Sequence, residues 1–458
     1  MGVGQGNGAG PAIWAIISSI FFDTLRKKGF GAILQAPFSK IDVTLAGFGF
    51  VDDTDLLQTG LSKDDYWDIA AKLQASVELW GKCTEISGGC LVPTKSRWTL
   101  VDFTWKDGKW NYTENMDDVN ISIKDMDGNI VELAQLAADE AQKMLGVWLA
   151  PDGNNNKQVA EMRKTTVQWA EKVRTGCIDR RDAWQALTLT VMKKLEYPLQ
   201  ALTLTEEECD FIMAPVLLSG LPKAGICRHT PRALIYGDKE HQGFGLHNLY
   251  TTMGINRIQA FMDHIWHKTV TGDLMRISLE SLKLEIGIEG RLFDCDYELY
   301  GHLATDSWMK HVWEYAYTNS IKIKENTATG LLMRDCDENL STIFAHAVNN
   351  ESISRVEWQA MNRCRLYLNV LSVADITTGD GKEIDINFWL GKKDSYRSRD
   401  ITWPGQGNPS KKDWVTWRRV IRSCLCKDDR RHLTNTLGSW DELTANLTLK
   451  NWRCERVG

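Results

Sequence analysis

Residues 41–57 read IDVTLAGFGFVDDTDLL, two runs of apolar, β-branched and aromatic side chains broken once by Val51-Asp52-Asp53. Such residues favour strands, and a single polar break between two strand-like runs is the pattern of a hairpin with a tight turn. An antiparallel hairpin over residues 47–58 is therefore predicted, with Asp52 and Asp53 at its turn. Two like charges held side by side repel, and no Lys or Arg adjoins them in sequence. A divalent cation bound through carboxylate oxygens would relieve the repulsion and keep positions for phosphate and water. The alternative is that turn aspartates bond the local backbone. The other Asp-Asp pairs have different settings: Asp64-Asp65 at a helix start, Asp117-Asp118 after the polar NYTENM, Asp428-Asp429 among arginines.

The rest of the chain reads as α+β. Pro11 opens an apolar pattern that ends near Lys27, Lys28 and Gly29, the marks of a helix. Its longest apolar run, residues 12–22, is about half of the roughly 20 residues a membrane span needs, and it lacks the flanks of a signal peptide. A buried helix and no membrane partner are expected. A second helix is predicted over residues 64–80, then an aromatic hairpin, WTLVDFTWKDGKWNYT, turning at Lys106-Asp107-Gly108. A short apolar strand, KMLGVWLA, ends at the turn PDGNNN, and helices are expected over 158–175, 183–195, 206–218 and 256–267. The PDGNNN turn marks a candidate domain boundary near residue 150, and a different compositional regime, rich in tryptophan and basic residues, begins near Ser352.

Eleven cysteines without framework spacing point to reduced thiols in an intracellular compartment, nucleus and cytoplasm being indistinguishable. Cys424 and Cys426, with His432 nearby, read as packed thiols, because zinc sites usually space paired cysteines further apart and add a second ligand pair. The formal charge is −6, yet residues 392–431 hold twelve basic against five acidic residues, a surplus of seven positive charges. There Trp403, Trp414 and Trp417 alternate with Lys411, Lys412, Arg418 and Arg419, which suits single-stranded nucleic acid; the competing reading is an amphipathic helix over 413–425 that buries Trp414, Trp417 and Ile421. Any nucleic-acid affinity is expected in this basic segment, and to fall steeply with salt.

The Asp52-Asp53 stretch resembles the catalytic turn of reverse transcriptases, where two aspartates sit on a β-hairpin of the palm. Upstream, GVGQGNGAGP resembles the family's Gln-Gly loop before a palm helix, which implies that Gln5 and Gly6 meet the incoming nucleotide and template. Lys95, in GGCLVPTKS, matches the lysine that closes the next family motif and would assist the leaving pyrophosphate. Leu145 and Gly146 resemble the strand that grips the primer, and residues 221–249 are more loosely similar to the region after the polymerase core in non-LTR retroelement proteins. The resemblance implies a partial palm over residues 1–150, a mainly helical thumb-like region over 151–290 and a helical C-terminal region of unassigned role over 291–458. It implies RNA-templated DNA synthesis with Asp52 and Asp53 holding Mg2+ or Mn2+, an RNA template, a DNA primer and deoxynucleotides as partners.

That family needs a further aspartate and a fingers subdomain, both of which lie before the Gln-Gly loop. The chain opens at that loop, so an N-terminally truncated reverse transcriptase, inactive alone, is expected. The alternative function is non-catalytic nucleic-acid binding by the basic, tryptophan-rich C-terminal region.

Overall fold

The computed structural model describes residues 10–50, 53–60, 64–106, 108–113, 119–325, 336–393, 399–428, 430–441 and 446–448, with side chains described as far as Gly438. These residues mix helix and strand, and every sheet among them has two strands. The chain divides into two compact units: Met1–Gln135, His267–Thr305 and Ser320–Gly458 form the first, Leu136–Trp266 and Asp306–Asn319 the second. The C-terminal residues thus belong to the same unit as the carboxylate hairpin.

In the first unit, helix α1 (Gly10–Lys27) ends with Arg26 and Lys27 in its last turn, where basic side chains complement the helix dipole. Gly29 then turns left-handed (φ 80°), and the Phe30 N–H bonds the Leu25 carbonyl at 3.0 Å. The helix buries Phe21 and Leu25 but leaves Ile13, Ile16 and Ile20 exposed, so the expected buried helix is buried on one face only. Its run of apolar residues covers both faces, and one neighbouring layer can cover just one of them.

Strands β1 (Ala32–Gln35) and β2 (Asp42–Leu45) pair antiparallel, as do β3 (Gly47–Phe50) and β4 (Asp53–Leu56). Helix α2 (Tyr66–Ile86) starts on a reciprocal cap in which the Asp65 carboxylate accepts from the Asp68 N–H at 2.9 Å and Asp68 accepts from the Asp65 N–H at 3.3 Å. The Asp64-Asp65 pair is therefore a helix start, as the sequence suggested; Asp64 itself pairs with Lys72. Trp80 of α2 meets Phe21 edge-on with ring centres 5.4 Å apart, and Phe22 at 4.8 Å. Strand β5 (Arg97–Thr99) seats Trp98 beside Ala70, Val119 and Ile121. Strands β6 (Phe103–Lys106) and β7 (Lys109–Tyr112) form the aromatic hairpin.

Helices Val270–Ile286, Leu340–Asn349, Arg355–Leu368 and Lys411–Leu425 complete this unit. Arg365 is fully buried and donates to the Leu284 and Glu285 carbonyls at 2.6 and 2.8 Å, closing the end of Val270–Ile286. In the second unit, helices Asn156–Thr175 and Glu206–Lys223 pack over Met162, Leu187, Ile212 and Val216. A π-turn at Leu187–Val191 interrupts the helix predicted over 183–195. The stretch predicted as one strand, KMLGVWLA, is instead a hairpin of Gln142–Met144 and Val147–Leu149, because Leu145 and Gly146 both adopt left-handed backbone (φ 49° and 88°).

Candidate functional site

The β3–β4 register pairs Gly47 with Leu56, Phe48 with Asp55, Gly49 with Thr54 and Phe50 with Asp53. Val51 and Asp52, which lie between the two strands in sequence, are outside the described residues. Glycine at 47 is required by a close approach, since a Cβ there would stand 2.0 Å from the Asp55 carbonyl oxygen. Gly49 turns to α1, where a Cβ would meet the Phe22 ring at 3.4 Å. The hairpin thus rests on the helix that begins near Pro11. It is also tied to β1 from behind, because the Gly31 and Ile33 N–H groups donate to the Gln58 Oε1 and Thr59 Oγ1 at 3.0 Å each.

Side chains alternate along a strand, so Asp53 and Asp55 share the hairpin face with Phe48 and Phe50, which are 47% and 61% exposed. Asp53 is exposed and Asp55 is half-buried. The Asp55 carboxyl is pushed above the usual carboxylate range, first by burial and then by the charge of Asp53. Asp55 was not singled out in the sequence. Its signal was the two-residue spacing of Asp53 and Asp55, which puts two carboxylates on one strand face. Hard oxygen donors in mutual repulsion are the donor chemistry of a magnesium or manganese site, so these residues fit such an ion. Among the described residues, no group of three or more His, Cys, Asp or Glu side chains is placed to hold a metal.

Gln5 and Gly6 also lie outside the described residues. Lys95 ends a 3-10 turn, Pro93–Lys95, with its side chain exposed, and no ion pair joins it to Asp53. Leu145 and Gly146 fall in the second unit. There the Tyr197 hydroxyl donates to the Leu145 carbonyl at 2.7 Å, and a Cβ on Gly146 would touch the Tyr197 ring at 3.5 Å. A left-handed, exposed leucine is unusual and strained, which is the kind of residue functional turns retain.

The basic C-terminal segment divides between core and surface. Helix Lys411–Leu425 buries Trp417, Val420 and Ile421, with the Trp417 Nε1–H donating to the Phe388 carbonyl at 3.1 Å. Trp414 is half-buried, its Nε1–H on Asn408 Oδ1 at 3.2 Å, and Trp403 packs beside Leu284 and Ile401. Trp417 thus serves packing, as an amphipathic helix requires. Several cations here are engaged: Arg419 pairs with Glu357, Arg422 stands over the Trp389 ring and Lys393 over that of Tyr367. Cys424 and Cys426 are half-buried with thiols pushed up by burial, while His432 is held by Asp428 and Glu383.

Arg399 is buried among three carboxylates. Its Nε lies 2.6 Å from Asp375, one Nη 3.0 Å from Glu289 and the other 3.7 Å from Asp337. Burial pushes the Glu289 carboxyl up to about 7 and also raises Asp337, with Arg399 opposing both shifts. The Glu289 and Asp337 carboxyls therefore hold a proton more readily than in water.

Among the described residues, no helix is long and apolar enough to cross a membrane. Comparison with protein-family models gives no match, and no curated protein matches the chain.

Proposed function

We propose that the first unit carries the palm of a reverse transcriptase of non-LTR type, with the mainly helical second unit as a thumb-like region. In this reading Asp52 and Asp53 hold Mg2+ or Mn2+, Gln5 and Gly6 meet nucleotide and template, Lys95 assists the leaving pyrophosphate, and Leu145 and Gly146 grip the primer. The observation that carries it is the β3–β4 hairpin, which puts Asp53 and Asp55 on one face while Gly49 seats the other face on α1. Bound divalent ions would stabilise the attacking and leaving oxygens of nucleotidyl transfer. The chain's own part is to supply the Asp52 and Asp53 carboxylates as oxygen donors. The flanking Phe48 and Phe50 give the same face apolar surface on which a nucleotide can rest.

Electron paramagnetic titration of Mn2+ tests the reading in the full chain. Asp52→Asn and Asp53→Asn are each expected to weaken Mn2+ binding by about tenfold or more, since each removes a charged oxygen ligand. Affinity unchanged in both variants would sink it. Primer extension by residues 1–458 alone is expected to be undetectable, because the family's further aspartate has no counterpart among the recognised motifs. Incorporation that disappears in Asp52→Asn would overturn that expectation and identify a replacement ligand.

A further inference from the structure

The segment 399–403 has no helix or strand of its own, yet it is fastened twice within the first unit. At its start Arg399 lies among Glu289, Asp337 and Asp375. Further along, the Thr402 N–H donates to the Pro37 carbonyl at 3.0 Å, the Lys40 ammonium donates to the Thr402 hydroxyl at 3.0 Å, and that hydroxyl donates to Gln35 Oε1. Gln35 ends β1, and Pro37 and Lys40 lie in the turn into β2, so the segment straps that turn. Lys40 also pairs with Asp400 at 3.2 Å. Ile401 and Trp403 pack with Leu284, Leu371 and Phe38.

The three carboxylates around Arg399 are not equivalent. Asp375 also accepts from the Leu371 and Ser372 N–H groups at 2.7 and 3.0 Å, and Asp337 from the Ala374 N–H at 2.9 Å and the Ser372 hydroxyl at 2.8 Å. Donors of this kind favour the ionised form. Glu289 meets Arg399 at 3.0 Å, but burial outweighs that attraction and holds its proton up to about pH 7. On its own loop Arg291 faces Asp294 at 3.9 Å. In the helix before that loop, Lys283 pairs with the buried Glu325 at 3.1 Å, and Glu285 accepts from the Thr305 N–H at 2.9 Å. An ionised Glu289 is better placed in water than in this buried cluster, so rising pH favours a state in which the cluster is hydrated. The strap lacks the hydrogen-bonded ladder of a helix or strand, and it gives way before the helices around it.

We propose that residues 399–403 are a pH-sensitive strap, fastened over the β1–β2 turn while Glu289 is protonated and lifted when Glu289 ionises. Lifting uncovers Leu284 and Leu371. It also frees the hairpin whose Gly31 and Ile33 N–H groups back the carboxylate hairpin through Gln58 and Thr59. The strap does not depend on the polymerase reading.

Hydrogen exchange in the full chain, with each amide corrected for the intrinsic effect of pH, tests it. The Thr402 N–H is expected to lose about 50-fold in protection between pH 5 and pH 8, the factor set by a Glu289 that is hydrated in the lifted state. Low urea is expected to leave this exchange unchanged, because local opening exposes little surface, while exchange from α2 accelerates. Glu289→Gln, neutral at every pH, should keep at pH 8 the protection that the parent shows at pH 5. Thr402→Val removes the hydroxyl contacts and keeps the N–H, and it should lower protection equally at both pH values. Equal protection of Thr402 at pH 5 and pH 8 in the parent, the same fall in Glu289→Gln, or a urea dependence matching that of α2 would overturn the proposal. Asp52→Asn is expected to leave the profile unchanged, which separates the strap from the polymerase reading.

Discussion

Leu145 holds a conformation that its side chain opposes. A two-residue turn between Met144 and Val147 needs left-handed backbone at both positions, and Asn-Gly satisfies it far better than Leu-Gly. Leu145→Asn is therefore expected to stabilise the second unit by about 0.5–1 kcal/mol, read as a shift in the urea midpoint with unchanged slope. If the turn touches the primer, the same change weakens primer binding while raising stability; a destabilised variant would show that leucine's exposed side chain packs after all. Asp55 teaches the complementary lesson. Its neighbours in sequence, Thr54 and Leu56, reveal nothing of its state, whereas burial and the Asp53 charge raise its carboxyl. The alternation of strand side chains was legible; the degree of burial was not, because it depends on what lies across the sheet face.

Between elements, the Arg399 cluster joins the loop after Val270–Ile286, through Glu289, to the segment before Leu340–Asn349, through Asp337, and to the turn Val373–Ile376, through Asp375. Glu289 has its carboxyl pushed up to about 7 in the folded protein, against about 4.5 for the ordinary residue. The folded state therefore binds the proton more tightly. Its stabilising share is complete below about pH 4.5 and is lost as pH rises through about 7, and Asp337 is raised in the same direction. The depressed Asp413 carboxyl acts oppositely, contributing above its unfolded value and losing that share only in more acid solution. Between pH 5 and 8 the melting temperature of the first unit is expected to fall, and Glu289→Gln, which stays neutral, is expected to reduce that fall. Parallel pH profiles for variant and parent would show that Glu289 is ionised throughout. None of this was visible in the sequence, since the four residues are spread over more than a hundred positions and only packing brings them to one guanidinium.

For the molecule as a whole, the division into units follows packing rather than chain order. The C-terminal part supplies the fully buried Trp358, Arg365 and Trp417 to the first unit. A chain ending at Asn350 should consequently lose that unit's cooperative unfolding transition, because removing buried Trp and Arg side chains exposes core and orphans the carbonyls that Arg365 caps. Hydrogen exchange checks this: α1 and α2 are expected to exchange freely in the shortened chain, and retained protection would contradict it. Nucleic-acid affinity cannot then be assigned by truncating the basic tail, and substituting its exposed Lys411 and Lys412 by Gln in the full chain is the sharper measurement.

Local chemistry alone determined much of the secondary structure. Strand-forming runs with a polar break specified the β3–β4 hairpin, Asp65 and Asp68 the start of α2, Lys106–Lys109 the aromatic turn, and the spacing of Trp417 and Ile421 the C-terminal helix. These depend on neighbours a few residues apart, where backbone sterics, caps and alternation act directly. Only the tertiary structure decided that one face of α1 stays exposed, that Leu145 and Gly146 make a turn, that Arg399 gathers three carboxylates and that Trp105 rather than Trp110 is the anchored ring. Each of these depends on burial and on partners remote in sequence, and burial is a property of the packed molecule rather than of any segment within it.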